Sequence, residues 1–135
     1  MAVESGLGWT TASRDDSSGS LRALVASVFN IDFSITRATW DITGMGKSAM
    51  ERVLLLGDYS STWTGGFNDA SNDSHAVHAT VGSADVLRSE SLVVSGQTLN
   101  NEVALTDYSL TRAATGEFSW SAPASLSSGT DPTWS

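Results

Sequence analysis

Apolar and polar residues alternate near the middle of the chain, and this pattern predicts a β-strand. In the segment Ile31–Thr36 the apolar residues occupy the odd positions, which is the period of a strand with one buried face. Trp40 and Ile42 lie on even positions instead. Because a shift of one residue turns each side chain to the opposite face, we expect a bulge or bend between Thr36 and Thr39.

The next segment predicts a glycine-hinged crossover with one short helix, followed by a second strand. The run Gly44-Met45-Gly46 lets the backbone turn freely. A capping-box sequence at Ser48–Glu51 precedes the apolar run Val53–Leu56, and Gly57 supplies a helix stop. Period-2 alternation then resumes over Tyr59–Phe67.

The remaining segments predict further strands, one more short helix and two terminal arms. Leu21–Thr43 reads as one long bent strand or two collinear strands, and residues 71–80 read as a helix. Further strands are expected at Asp85–Ser95, Glu102–Arg112 and Glu117–Ala122. The polar run at Ser13–Ser20 predicts a loop or mobile arm, so residues 1–20 form an N-terminal arm or strand and residues 123–135 a C-terminal arm. The prediction is one mainly-β domain over residues 1–135, an antiparallel sandwich or barrel with one or two short flanking helices and extended loops and terminal arms.

Composition narrows the possible functions. The 135-residue chain has no cysteine, which excludes disulfides and thiolate metal sites. Its net charge of −8 opposes binding to a phosphate backbone. The sequence contains neither a long apolar run nor an N-terminal signal pattern, so we expect a soluble protein with no membrane partner.

Several short motifs imitate catalytic or ligand sites, and each departs from the pattern that the chemistry needs. Gly46-Lys47-Ser48 lacks the earlier glycine of a phosphate loop, since Asp41 stands there. The Asp69–Thr80 segment lacks the glycine and glutamate of a calcium loop. His75 and His78 have no defined third metal ligand, and we expect them to be exposed or to cap a helix. We expect no enzyme activity, no cofactor and no metal. The carboxylates that could pair as a glycosidase dyad are expected on solvated faces: Glu90, Glu102 and Glu117.

The five tryptophans divide into two groups. Trp40, Trp63 and Trp120 fall on strand patterns and are expected in the core. Trp9 and Trp134 lie in the turn-rich terminal arms, where a single chain offers little to bury them. We therefore expect these two residues to anchor contacts between subunits.

Several motifs resemble one known family, over roughly residues 33–134. The motifs are Trp40–Gly46, Glu51-Arg52, a strand that ends in Gly65–Asp69, the Asn101–Arg112 stretch, and Phe118–Trp120. Together they resemble the tail tube (major tail) proteins of bacteriophages with long, non-contractile tails. The match contains no catalytic residues.

The resemblance implies two packed sheets flanked by a helix, with loops and termini that reach neighbouring subunits. It implies hexameric rings that stack into a hollow tube in the virion tail, assembled in the host cytoplasm, through which genome DNA passes without specific binding. The implied partners are further copies of the chain, a tape-measure protein, and the tail terminator and distal tail proteins. Expected ring-stacking residues lie in the loop between the long strands: Asp41, Thr43, Met45, Gly46, Lys47, Glu51 and Arg52.

Two alternatives remain open at this point. One is another ring of the phage neck or tail, such as a tail terminator, and the other is a secreted carbohydrate-binding or adhesion sandwich. For the stacked tube, repulsion between acidic rings predicts that the bases concentrate at subunit and ring contacts and that the acids face the lumen or point outward, away from the contacts. These bases are Arg14, Arg22, Arg37, Lys47, Arg52, Arg88 and Arg112.

Overall fold

The computed structural model describes residues 5–135, which consist mainly of β-strands. After a 3-10 turn at Gly6–Gly8, the elements of this part of the chain are β1 (Trp9–Asp15), β2 (Leu21–Ala23), β3 (Val28–Asp41), β4 (Arg52–Gly66), α1 (Ser74–His78), β5 (Arg88–Val94), β6 (Gln97–Leu105), β7 (Ser109–Arg112) and β8 (Phe118–Leu126). The mainly-β prediction is confirmed.

All eight strands belong to one antiparallel sheet, in the order β2-β1-β5-β6-β8-β4-β3, with β7 also paired to β8. The sheet folds over so that its two halves face each other. The side chain of Arg14 on β1 shows this, because it donates to the hydroxyl of Ser61 on β4 and to the carbonyl of Ala122 on β8. One continuous sheet therefore supplies the two layers that the sequence predicts.

The core lies between the two halves. Along β4, the predicted inward face is confirmed, since Tyr59, Ser61, Trp63 and Gly65 are buried. Trp120 on β8 is also buried, and its indole N–H donates to the carbonyl of Gly66 at 3.0 Å. Other core residues come from both halves of the sheet: Ala12, Leu24, Leu92, Leu99, Val103, Ala122 and Ala124.

The β3–β4 pair confirms one prediction and overturns two. The register shifts between Arg37 and Thr39, where the slip in apolar phase predicts a bulge. The predicted helix at Val53–Leu56 is wrong, because these residues belong to β4 and pair with β3. Trp40 is 61% exposed rather than in the core, because β3 and β4 have no covering layer at this point.

The terminal arms and the long first strand also differ from prediction. Residues 9–15 form β1, which lies between β2 and β5, and residues 123–126 complete β8. Residues 1–4 of the predicted N-terminal arm lie outside the described part of the chain. Of the two alternatives for Leu21–Thr43, the two-strand one holds, but β2 pairs with β1 and β3 pairs with β4, at opposite ends of the sheet order. A turn closed by the Ser27 N–H, which donates to the Leu24 carbonyl, separates the two strands. The helix predicted over residues 71–80 is shorter than expected, since only α1 (Ser74–His78) forms. The Asp73 carboxylate caps its N-terminus by accepting from the Ser74 N–H.

Candidate subunit interface

The outer halves of β3 and β4 form a two-stranded hairpin that extends beyond the rest of the sheet. β8 pairs with β4 only from Ser60 to Gly66. From Tyr59 back to Arg52, β4 pairs only with β3 among the described strands. An isolated two-stranded hairpin is marginally stable in water, because it lacks a layer against which to bury its side chains.

Large apolar side chains are exposed on both faces of this hairpin. Trp40 and Val53 pair across the strands and so share one face, whereas Leu54 pairs with Thr39 on the other face. Leu54 is 59% exposed and Leu56 is 84% exposed. Contiguous apolar surface of this kind marks an interaction site. The exposed apolar side chains of the hairpin are Ile35, Trp40, Ile42, Met45, Met50, Val53, Leu54, Leu55 and Leu56.

Hydrogen bonds brace the tip of the hairpin. The Asp41 carboxylate accepts from the Thr43 N–H at 2.9 Å and from its hydroxyl at 2.6 Å. The Thr43 hydroxyl oxygen in turn accepts from the Glu51 N–H at 2.8 Å. These bonds to Thr43 hold the pKa of Asp41 below its usual range. The predicted capping box at Ser48–Glu51 is wrong, because the Glu51 N–H donates to Thr43 rather than to Ser48.

The structure brings all seven predicted loop residues together at this tip. Asp41 and Arg52 are paired across the two strands. The Lys47 ammonium lies 3.6 Å from the Glu51 carboxylate in an exposed pair, which contributes little stability. Met45 is fully exposed at the turn beside Gly46. Sequence reasoning missed the apolar strands below the tip, although the unbroken apolar run Val53–Leu56 was a signal for them.

The bases do not all lie where the charge argument places them. Arg14 and Arg88 are buried inside the chain, and Arg22 pairs with Asp16 of the same chain at 2.9 Å. The prediction that the bases concentrate at contacts between subunits is therefore wrong for the buried Arg14 and Arg88. It stays a prediction for Arg22, whose side chain is 30% exposed, and for the remaining bases. Three of the other four bases lie on the hairpin, namely Arg37, Lys47 and Arg52.

Trp9 and Trp134 lie in one aromatic cluster within a single chain. The Phe33 ring is 5.9 Å from the Trp9 ring and 6.0 Å from the Trp134 ring. Trp134 forms a β-bridge with Leu99, so it ties the β6 half of the sheet to the β3 half. The expectation that a single chain offers little to bury them is wrong for Trp9, which packs against the core, whereas Trp134 is still 44% exposed. Their role as anchors between subunits stays a prediction.

A polar network lies in the core beneath this surface. The guanidinium of Arg14 contacts the Glu90 carboxylate at 3.0 Å and lies 4.0 Å from the centre of the Trp63 ring. The Tyr59 hydroxyl donates to the same carboxylate at 2.5 Å, and the Ser61 hydroxyl donates at 2.9 Å. Two sequence expectations are wrong here. Arg14 lies in β1 rather than in a loop or mobile arm, and Glu90 is buried rather than on a solvated face.

The network is buried. Arg14, Glu90, Tyr59 and His78 are all at most 1% exposed. Burial lowers the pKa of Arg14 and raises the pKa of Tyr59. Structural ion-pair networks shift pKa values as active sites do, and this network links β1, β4 and β5.

His78 belongs to this network rather than to the surface, contrary to expectation. Its Nε2 lies 3.2 Å from a guanidinium nitrogen of Arg14, and its Nδ1 lies 2.8 Å from the Ser74 carbonyl oxygen. Because arginine only donates, Nε2 accepts and Nδ1 carries the proton. Burial first, and then the charge of Arg14, lower the pKa of His78 to about 3.

We expect this histidine to make the fold sensitive to acid. Unfolding returns the pKa of His78 to about 6.5, so the unfolded state binds more protons between pH 6.5 and about 3. Stability from this residue is complete above pH 6.5 and is lost as the pH falls through that window. Urea unfolding at pH 7 and pH 4 measures the loss. His78→Gln should reduce the difference between the two pH values, while the carboxylates contribute equally to both proteins. An unchanged difference would contradict the assignment.

Two other kinds of site are absent from residues 5–135. Among residues 5–135, no group of three or more histidine, cysteine, aspartate or glutamate side chains is arranged to hold a metal ion. No helix in the same part of the chain has the length and apolarity to cross a membrane.

Comparison with solved structures identifies chains of the same fold. One is a chain in the tail of an empty gene transfer agent (GTA) particle, refined with helical C6 symmetry. It matches with a TM-score of 0.77 and 16% identity, over 98% of this chain and 99% of that one. The second is a chain of the virion of a native GTA particle, with a TM-score of 0.76 and 14% identity over 98% and 99% of the two chains. No family model and no curated protein sequence matches. The resemblance to tail proteins that the sequence indicates is thus confirmed at the level of the fold.

Proposed function

We propose that the chain is the tail tube subunit of a phage or phage-like particle. In this proposal six copies close into a ring, and rings stack into the hollow virion tail through which the genome passes. The role is structural and not enzymatic. The subunits assemble in the host cytoplasm, where a tape-measure protein, a tail terminator and distal tail proteins complete the tail.

The apolar hairpin is the observation that carries the proposal. It exposes Trp40, Leu54 and Leu56 on the outer halves of β3 and β4, which pair with no other described strand. Burying apolar surface contributes about 25 cal/mol per Å², so a partner that covers both faces gains several kcal/mol. An assembling subunit requires apolar surface that is exposed in the monomer and becomes buried when copies associate.

The ends of the sheet and the solved relatives support the same assembly. β2 and β3 are the two terminal strands of the sheet, and a free strand edge offers unpaired backbone groups to a neighbouring copy. Joining different edges of successive copies is a heterologous contact, which closes a ring or continues a filament. The GTA tail whose chain shares this fold has C6 symmetry, which supports six copies in the ring.

Electron microscopy of the purified chain tests the proposal. The monomer has a mass of 14.1 kDa, so a ring of six has a mass of about 85 kDa. We expect negative-stain images at high protein concentration to show rings and stacked tubes, and light scattering to show the hexamer mass.

The alternatives give different results in the same experiment. A tail terminator would form single rings that do not stack. A carbohydrate-binding domain would stay monomeric at every concentration and bind a glycan array. Either result would overturn the proposed tube.

A further inference from the structure

A second apolar surface lies at the opposite end of β3 from the hairpin tip. It is a groove of about 470 Å³ between the N-terminal 3-10 turn and the start of β3. Leu7 is 95% exposed at its edge, and Phe29 is also exposed. The lining residues are all uncharged: Gly6, Leu7, Trp9, Ala12, Val25, Val28, Phe29, Asn30 and Ile31.

We propose that this groove, which we call the β3-base groove, receives the β3–β4 hairpin of a second copy of the chain. The proposal rests on the proposed function, because it names the surface that the exposed hairpin meets in the assembly. It deepens that function by assigning one contact between subunits to two defined sets of residues.

The hairpin cannot reach the groove of its own chain. Phe29 and Trp40 lie on the same continuous strand, eleven residues apart. At about 3.3 Å per residue, this separation is roughly 35 Å. The two apolar surfaces therefore lie at opposite ends of one rigid element, and only another copy can bring them together. Such a tip-to-base contact is heterologous, so it propagates from copy to copy.

The groove has the size and rigidity to take large side chains. Its volume of about 470 Å³ is about three times that of an apolar cavity of about 150 Å³ that binds one benzene. Trp40 together with Val53, its cross-strand partner on the same face of the hairpin, is an occupant of that size. The groove wall is also held in place, because the Phe29 ring lies directly against Gly66, where an added Cβ would be 2.9 Å from the ring. A preformed wall reduces the entropy lost on binding.

Charge supports a second copy as the occupant. Between Ile35 and Tyr59 the hairpin is neutral, because its three bases are balanced by Asp41, Glu51 and Asp58. The whole chain has a net charge of −8, so the acidic charge lies on the rest of the molecule. A neutral hairpin therefore approaches the acidic body of another copy without net charge repulsion.

Cysteine pairing tests the contact directly, because the natural chain has no cysteine. One variant carries Leu56→Cys in the hairpin and the other carries Leu7→Cys in the groove. Both side chains are exposed, so neither change should prevent folding. The two proteins are mixed under mild oxidation, and the products are separated by non-reducing electrophoresis. Thr115→Cys, in the exposed β7–β8 turn, replaces the groove variant in the control mixture.

We expect the mixed dimer of Leu56→Cys and Leu7→Cys to exceed either homodimer and the control dimer by about tenfold, because contact raises the effective concentration of the two thiols. Excess pairing between two Leu56→Cys chains, or no excess over the control, would overturn the proposed contact. Electron microscopy of the cysteine-free chain separates the two claims. If the chain forms tubes but no mixed dimer, the proposed function stands and the groove contact is rejected. If the mixed dimer forms but rings do not, the groove contact stands and the proposed function is rejected.

Discussion

Replacement of Leu54 by aspartate is expected to abolish assembly while leaving the monomer folded. Leu54 is 59% exposed in the monomer, so the carboxylate remains in water there and costs little stability. In the assembly the same carboxylate would be buried in an apolar contact without a partner. Loss of a central apolar contact costs about 2–4 kcal/mol, or roughly a 30- to 1000-fold rise in the concentration needed for assembly. Sedimentation velocity over a concentration series measures this shift.

Leu87→Asp is the matched control for this variant. Leu87 is 54% exposed and lies in the segment before β5 rather than on the hairpin. We expect it to assemble like the natural chain, and circular dichroism should show both variants folded. Equal loss of assembly in the two variants would mean that added negative charge, not the hairpin surface, controls association.

The strands could be predicted because the alternation of apolar and polar residues that identifies each one lies within a short segment of the chain. Period-2 alternation along Tyr59–Phe67 identifies the inward face of β4, and the phase slip after Thr36 identifies the bulge. Each signal depends only on neighbouring residues. The same reasoning could not give the strand order, since β1 pairs with β5 across more than seventy residues.

The hairpin shows where local signals compete. Val53–Leu56 follows a capping box and precedes Gly57, which favours a helix, but the segment pairs with Thr39 and Trp40 on β3. Tertiary pairing overrides a weak local helix preference. The tip residues from Asp41 to Arg52 were correctly placed in one loop, because a turn between two strands brings its own residues together.

The polar core could not be predicted from composition. Ser13, Arg14 and Asp15 read as a loop because buried charges are rare, yet all three are buried in β1. The partners of the two charged residues are distant in sequence: Arg14 pairs with Glu90, 76 residues away, and the Asp15 carboxylate accepts from the Ser89 N–H. Trp9 and Trp134 were misread for the same reason, since Phe33 between them is distant from both in sequence.

Replacement of Glu90 by glutamine is expected to destabilise the monomer by about 3–5 kcal/mol, because it leaves the Arg14 cation buried without its counter-charge. Arg14 and Glu90 are at most 1% exposed and 3.0 Å apart, so solvent does not screen the loss. A marginally stable domain has only about 5–15 kcal/mol in total. Urea unfolding at pH 7 measures the change as a shift in midpoint. Because this pair joins β1 to β5 and also bonds to Tyr59 and Ser61 of β4, the variant should also lose assembly through unfolding.

Two further variants distinguish the effect of an unpaired buried charge from the effect of replacing glutamate by glutamine. Glu51→Gln makes the same substitution in an exposed pair, 3.6 Å from Lys47, and should change stability by less than about 1 kcal/mol. The double variant Arg14→Met with Glu90→Gln removes both charges from the core. It should recover part of the stability that Glu90→Gln loses, since an apolar replacement of a buried pair is often tolerated. If the double variant is less stable than Glu90→Gln alone, the cost arises from lost packing on Trp63 and lost hydrogen bonds rather than from the unpaired Arg14 charge.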